Sequence, residues 1–413
     1  MFNLTNHEKN MSVIVSNQFL TALADSVYDV AIFWYIYDQS GSALLASFVT
    51  AISFLTQVIV GPFIGVLADY KNPKWTMQLG FALMIFVGIS MAFIYYFLLD
   101  YFVILLYLGV IIHDIGMATI KPARSKLLPR IVGRERIVQV NGYISSSSQI
   151  ALTLGKSMSG FLIALIGFIG VMLSHAALYL LASILLKLLI DLSLSKTNES
   201  AGDVESVREK KEQSYISDIK DTFQLMRSFR PLFKLIIIGM VINVASVIGP
   251  LFVVIVREQY SSGSIVFGWF NAIGAVAGVV VGLFANRIIN FVKPYMMFGL
   301  SMSGAGLSMM LVGTLSNIYA GMTVYFIMSF LLTVFNIAFS SLIITLVEDE
   351  YRGRVNNLTT ALATIMIPVF SVLGGYVADQ LSASIVYVFA GVWVVFWGIV
   401  IFIDKDVRAI ESV

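Results

Sequence analysis

GPFIGVLADYKNP, Gly61 to Pro73, has a counterpart in GVVVGLFANRIIN, Gly278 to Asn290. Gly61 pairs with Gly278, Gly65 with Gly282, Ala68 with Ala285 and Asp69 with Asn286, at an offset of about 217 residues. IVGRERIVQVN, ending at Asn141, pairs with LVEDEYRGRVN, ending at Asn356, and Gly160 with Gly375, at nearly the same offset. Two matches at one spacing indicate a chain built from two related halves, a pattern common among membrane carriers.

Composition says what the halves are made of. The chain has 413 residues, 58% hydrophobic and 12% charged, with a mean hydropathy of +0.89. Soluble domains carry about 25% charged residues, so the missing charge implies surface that faces lipid. A spanning helix needs about 20 apolar residues. That ruler places twelve spans at 12–38, 43–69, 75–98, 101–126, 138–165, 167–193, 232–256, 264–290, 293–314, 317–346, 354–379 and 383–404. The expected fold is an all-α integral membrane protein of two six-helix bundles. The bundles are 1–195 and 231–413. A polar linker, 196–230, separates them, and its SDIKDTFQLMRSFRPLFK reads as an amphipathic helix on the inner surface. The first run is too long and too acidic for a signal-peptide core and reads as a retained helix.

Orientation follows from Lys and Arg, which short cytoplasmic loops retain. Arg257 falls in an outer loop and Lys156 and Lys187 fall within spans, leaving 23 of the 26 basic residues at or near the inner face. Both termini are then cytoplasmic, and Lys187 snorkels to the inner face. A net charge of +2 gives no reason to expect a nucleic-acid partner. With no cysteine, disulfides, Cys-based metal sites and thiol catalysis are excluded. Three histidines, His7, His113 and His175, cannot by themselves make a clustered metal motif, so neither metal nor cofactor is expected. HExxH and GxSxG motifs are missing, which argues against an enzyme. Without GxxxxGK[ST], a gradient rather than ATP must supply the energy.

At these residues the chain resembles the major facilitator superfamily, and within it the bacterial drug-efflux branch of macrolide and siderophore exporters. GVLADYKNPK, Gly65 to Lys74, is similar to that family's loop between helices 2 and 3, where Gly65, Asp69 and Lys74 would form a conformational latch on the inner face. Tyr70 and Asn72 depart from the usual basic residue and glycine. YIYDQSGSALLAS, IGMATIKPARSKLLPRIV and EYRGRVNNL look like the macrolide-efflux type. His113-Asp114 stands where many members carry an Arg in helix 4, and Lys156 where antiporters carry the proline of a Gly-Pro element in helix 5. The resemblance implies a bacterial plasma-membrane carrier, a monomer, whose partners are a small molecule, protons and the bilayer.

Ionisable groups inside a bilayer are costly and are functional candidates. Asp25 and Asp29, spaced i, i+4, share a face of span 1. Counting from the outer helix ends, Asp25 and Asp114 lie about fourteen residues in, roughly 21 Å, and Asp29, Lys156 and His175 roughly 15 Å in, which suggests two polar layers. His175 reads as a packing residue. Two carboxylates in low dielectric repel each other and lose solvation, which makes Asp25, Asp29, His113 and Asp114 candidates for proton coupling. Lys156 could be a structural ion pair, a ligand for a substrate carboxylate or phosphate, or part of the coupling. The second half offers Asn243, Asn271 and Asn336 among Trp269, Phe270, Tyr325, Phe326 and Phe335 as a substrate wall. The sequence therefore points to a proton-coupled exporter of an amphipathic small molecule by alternating access. Two alternatives stand beside it: an exporter or flippase of an anionic substrate such as a siderophore or lysolipid using Lys156, and a non-transporting sensor or scaffold.

Overall fold

The computed structural model describes residues 5–70, 72–189, 223–224, 226–227, 229–291 and 293–409, with the side chains of Pro62, 65–70, Arg134, 285–286, 288–291, 349–350 and Asn357 outside the description. Eleven helices among the described residues are long and apolar enough to cross a membrane. The twelve expected spans become eleven helices because spans 5 and 6 run together as Ile137–Lys187. A straight helix of 51 residues would be roughly 77 Å long, more than twice the ~30 Å hydrocarbon core. The chain instead reverses at Gly167, whose φ of 63° and ψ of −173° only glycine adopts without strain. Packing shows the reversal: before the turn Gly155 lies against Leu23 and Ser26 of span 1, and after it Tyr179 reaches Asp25 of the same span.

The chain divides into two compact units, residues 1–198 with 261–272, and residues 199–260 with 273–413. The start of span 8 thus groups with the first unit. Most of the linker lies outside the described residues, as does the first part of the expected amphipathic helix, whose end at Arg230 to Lys234 is the start of span 7.

In the first unit the spans are Asn6–Ser40, Ala43–Tyr70, Pro73–Phe97, Phe102–Val132 and the hairpin Ile137–Lys187. Span 1 starts on a capping box, Thr5 with Glu8, and stops at Gly41 in the left-handed region. Ile14, Met77, Phe81, Met84, Ile120 and Tyr179 belong to its core. Side-chain amides brace the helices by donating to main-chain carbonyls: Asn10 to Ile131, Asn17 to Ala182 and Gln78 to Ser183. Lys74 Nζ donates to the carbonyls of Lys187 and Leu189, at 3.2 and 3.0 Å, capping the end of span 6. The surroundings of Gly65 and the side chain of Asp69, the other expected latch residues, are not among those described.

The second unit is less regular. Span 7, Arg230–Gln259, tightens to 3-10 turns over Asn243–Val247 and widens to a π turn over Ile255–Gln259. Span 12, Ala383–Ile403, braces it: Trp393 Nε1 donates to the Val241 carbonyl at 2.8 Å and Tyr387 Oη to that of Ile248 at 3.1 Å. Span 11 is interrupted, with Asp349–Thr364 followed by Ile367–Gln380. Pro368 has no N–H to give the Thr364 carbonyl, which explains the break. Spans 9 and 12 touch backbone to backbone at Gly306 and Gly391. Lys234 ties the two ends of the unit's chain together through Asp404 at 2.8 Å and Asp406 at 2.6 Å.

Two measurements check this account. Gly167→Ala should cost about 1–3 kcal/mol in thermal or denaturant unfolding, whereas Gly142→Ala, helical with open space around it, should be neutral or slightly stabilising. Burial acts to raise the Asp404 carboxyl, but Lys234 and the backbone N–H groups of Val407 and Asp406 outweigh it and hold it below the usual carboxylate range. Its stabilising effect is therefore complete above the unfolded-state value of about 3.9 and is lost as pH falls through the lowered value. Asp404→Asn should make the melting temperature less sensitive to acid than that of the wild type.

Candidate functional site

The first unit encloses a polar cluster contributed by four spans. Asp25, Tyr28 and Asp29 come from span 1, Ser53 from span 2, His113 and Asp114 from span 4, and His175 and Tyr179 from span 6. The i, i+3 and i+4 spacing puts the span 1 groups on neighbouring faces of one helix, while His113 and Asp114, adjacent in sequence, diverge by about 100°. The two residues of span 4 consequently serve different neighbours.

Tyr179 Oη donates to Asp25 Oδ1, and His113 Nε2 lies 3.4 Å from the same oxygen, within ion-pair range but without hydrogen-bond geometry. The Tyr28 ring stacks on His113 with centroids 4.2 Å apart and planes 7° apart, and lies 5.0 Å from the His175 ring. His175 is 1% exposed, and neither of its ring nitrogens has a hydrogen-bond partner. On the far side of His113, Asp114 hydrogen-bonds Ser53 and shares a cavity of about 30 Å³ with Asp29, Tyr28 and Ser53. That is enough for a water molecule.

The four proposed coupling residues are therefore brought together, but not in the two layers expected. Asp25 meets His113 and His175, whereas Asp29 meets Asp114. Depth along a helix says nothing about azimuth, and azimuth selects the partner. His175, read from sequence as packing, stands inside the cluster. Tyr28, Tyr179 and Ser53 were missed; the only sequence signal for Tyr179 was its i+4 relation to His175. Lys156 is exposed and makes no ion pair among the described residues, although its charge acts on Asp29.

The second unit holds a separate cavity of about 580 Å³. Asn243 and Ser246 reach it from the loosened stretch of span 7, Asn336 and Ser340 from span 10, and Asn356, Thr359 and Thr360 from span 11. Phe335 and Phe339, stacked with centroids 6.0 Å apart, form part of its wall with Met302 and Met309. Of the expected substrate residues only Asn243, Asn336 and Phe335 line it. Asn271 is turned back on its own helix, donating to the Phe267 carbonyl; Phe270 is fully buried; Trp269 packs edge-on against Phe161; and Tyr325 stacks on Phe252. Aromatic content alone did not separate packing from lining. The polar residues that were missed follow helical spacing, Ser340 one turn from the expected Asn336, and Asn356 with Thr359 and Thr360, a stripe that periodicity could have shown.

The absence of native cysteine makes the cavity open to direct test. Asn336→Cys and Ser340→Cys should react with a small water-soluble thiol reagent at least about tenfold faster than Phe270→Cys, because thiolate formation needs water.

Comparison with known proteins places these features. The family model of the Major Facilitator Superfamily matches residues 14–371 and 235–412. Macrolide efflux protein A of Streptococcus pyogenes is 23% identical over 406 residues, covering 96% of each chain. An uncharacterized MFS-type transporter of Bacillus subtilis, YvqJ, is 24% identical over 409 residues, covering 95% of this chain and 91% of that protein. Among solved structures, the nucleoside transporter NupG superposes with a TM-score of 0.69 at 13% identity, covering 96% of this chain and 99% of the other.

Proposed function

The chain belongs to the Major Facilitator Superfamily, and from that premise we propose that this multi-pass transporter exports an amphipathic small molecule in exchange for protons. It is a carrier and not an enzyme. The observation that carries the substrate reading is the cavity of about 580 Å³, apolar and aromatic on its walls and lined with amides and hydroxyls. Drug-sized ligands occupy sites of roughly 300–1,000 Å³ with that mixture of surfaces. Relatives named as macrolide efflux proteins support export as the direction.

Proton coupling rests on the first unit. Asp29 and Asp114 share a water-sized cavity with His113 between them and Asp25. A proton bound there neutralises charge that lipid and protein solvate poorly, and releasing it restores that charge. Alternation between the two states supplies a gradient-driven bias of conformation. The reading places the protein in a bacterial cell membrane with both termini cytoplasmic.

One observation favours the anionic-substrate reading: Lys156 is exposed, with no carboxylate held in a close ion pair among the described residues. Proteoliposomes carrying an internal pH dye distinguish the two. Macrolides and lipophilic cations that release protons on transport support the first reading; flux only with siderophores or lysolipids supports the second; silence across the panel with folded protein rejects both.

Asp29→Asn and Asp25→Asn should each abolish uphill transport while leaving gradient-free exchange of labelled substrate. Normal uphill transport in both single variants and in the double variant would remove the two carboxylates from the mechanism. Lys156→Ala should spare cationic substrates and, under the anionic reading, reduce anion transport at least about tenfold, the loss of a charge-assisted contact.

A further inference from the structure

We propose that Asp25, His113 and His175 form a binding site for one divalent first-row transition-metal ion, of which zinc is the type. One ligand atom from each of these residues, a carboxylate oxygen and two imidazole nitrogens, lies within 4.8 Å of the others. The three residues come from spans 1, 4 and 6, so their separation along the chain hides the site from any spacing motif.

The first argument is what the imidazoles lack. His175 is 1% and His113 5% exposed, and neither His175 nitrogen nor His113 Nε2 has a hydrogen-bond partner. Buried polar groups are nearly always satisfied, and a persistent exception calls for an unseen partner. Here the unpartnered imidazole of His175, the His113 Nε2 that faces Asp25 Oδ1 without hydrogen-bond geometry, and that carboxylate oxygen stand around one point. A proton on either ring only adds a donor that needs an acceptor, whereas a cation that takes one lone pair from each ring satisfies His113 Nε2 and one of the two His175 nitrogens.

The second argument is geometry. In a tetrahedral zinc site, nitrogen and oxygen ligands at about 2.0–2.2 Å are separated from one another by roughly 3.4 Å. His113 Nε2 and Asp25 Oδ1 are already 3.4 Å apart. His175 then has to close by at most about 1.4 Å, and no hydrogen bond holds it back. Tyr179 Oη donates to Asp25 Oδ1, the kind of hydrogen bond that orients a ligating carboxylate, and the Tyr28 ring packs against both imidazoles. Three protein ligands leave a fourth position for water, as in exchangeable rather than closed sites.

The donor set decides the class. Two imidazoles with one carboxylate suit Zn²⁺, Co²⁺ or Ni²⁺, while Mg²⁺ and Ca²⁺ call for all-oxygen surroundings. The proposal goes beyond the exporter reading and does not rest on it, although metal and proton would compete for Asp25 and His113.

The test is equilibrium binding to the purified full chain in nanodiscs, with any affinity tag removed. Zn²⁺ is followed by calorimetry and Co²⁺ by visible absorption. One equivalent should bind, and His113→Ala, His175→Ala and Asp25→Asn should each weaken binding at least about tenfold. His7→Ala should leave binding unchanged, and Mg²⁺ or Ca²⁺ in about a hundredfold excess should not displace the ion. X-ray absorption on the zinc-loaded wild type should show two imidazole ligands, an outcome that needs no variant to fold. Failure of folded wild type to bind, binding untouched by both histidine substitutions, displacement by Mg²⁺, or fewer than two imidazoles would each overturn the proposal. Proton flux measured separately in chelator-treated buffer tests the exporter reading, so one can fail while the other stands.

Discussion

Lipid offers the backbone no hydrogen bonds, so any N–H or carbonyl that a helix leaves free inside the bilayer must find a partner in the protein. Much of the architecture follows from that requirement. Where helices run whole without an internal proline, as in spans 1 and 3, the requirement is met within each helix and side chains are released for other work. Where a helix loosens, a neighbour closes the gap: Trp393 and Tyr387 of span 12 reach the carbonyls of Val241 and Ile248 on either side of the 3-10 stretch of span 7. Lys74 does the same for the end of span 6. Gln259 donates to the carbonyls of Val312 and Leu315 beside the π turn of span 7. These contacts are polar, yet they let an irregular segment stay in an apolar setting.

The two units use this freedom differently. In the first, helices pack closely enough that Gly155 has no room for a side chain against Ser26, and the reversal at Gly167 is the one non-helical residue inside its long helices among the described residues. Rigid, closely packed helices can hold ionisable groups at defined separations, and the cluster around Asp25 needs that precision. In the second unit, spans 7 and 11 are interrupted near the level where Asn243, Thr359 and Thr360 face the cavity. Loosened helices open volume and present polar groups without charges, which suits a site for a bulky ligand. The asymmetry of charge along the sequence thus has a counterpart in backbone regularity.

Much of the fold was legible because its governing pattern, apolar length, is local. Each span could be read from about 20 consecutive residues, and the break between the halves from one polar stretch. Two departures came from single residues. Gly167 joins spans 5 and 6 without an intervening loop, and Pro368 interrupts a segment whose apolar pattern looks continuous. The site was legible only in part. The carboxylates and His113 stood out because charge in a membrane is costly wherever it sits. His175 and Tyr179 did not, because their significance depends on the rotation of span 6 about its axis relative to span 1. In the cavity, Asn243 and Asn336 could be named from polarity, but Phe270 and Tyr325 are packing residues whose chemistry matches that of the lining Phe335 and Phe339. Composition identifies candidates; azimuth assigns them.

Azimuth also explains why span 1 occupies the centre of the first unit's chemistry. Asp25 faces His113, His175 and Tyr179, and Asp29, one turn on, faces the cavity shared with Asp114 and Ser53. Tyr28 lies between the two sites, its ring stacked on His113 while it also lines the Asp29 cavity. A change of charge at either carboxylate alters the field at the other across a single helical turn, about 6 Å, where low dielectric preserves the interaction. It also changes what His113 must balance, because that imidazole borders both sites. Spans 1, 4 and 6 are therefore joined through one histidine and two tyrosines rather than through separate pairs. A cation bound at the cluster would contact all three helices together, and would bias the bundle only to the extent that it binds one arrangement of them more tightly than another.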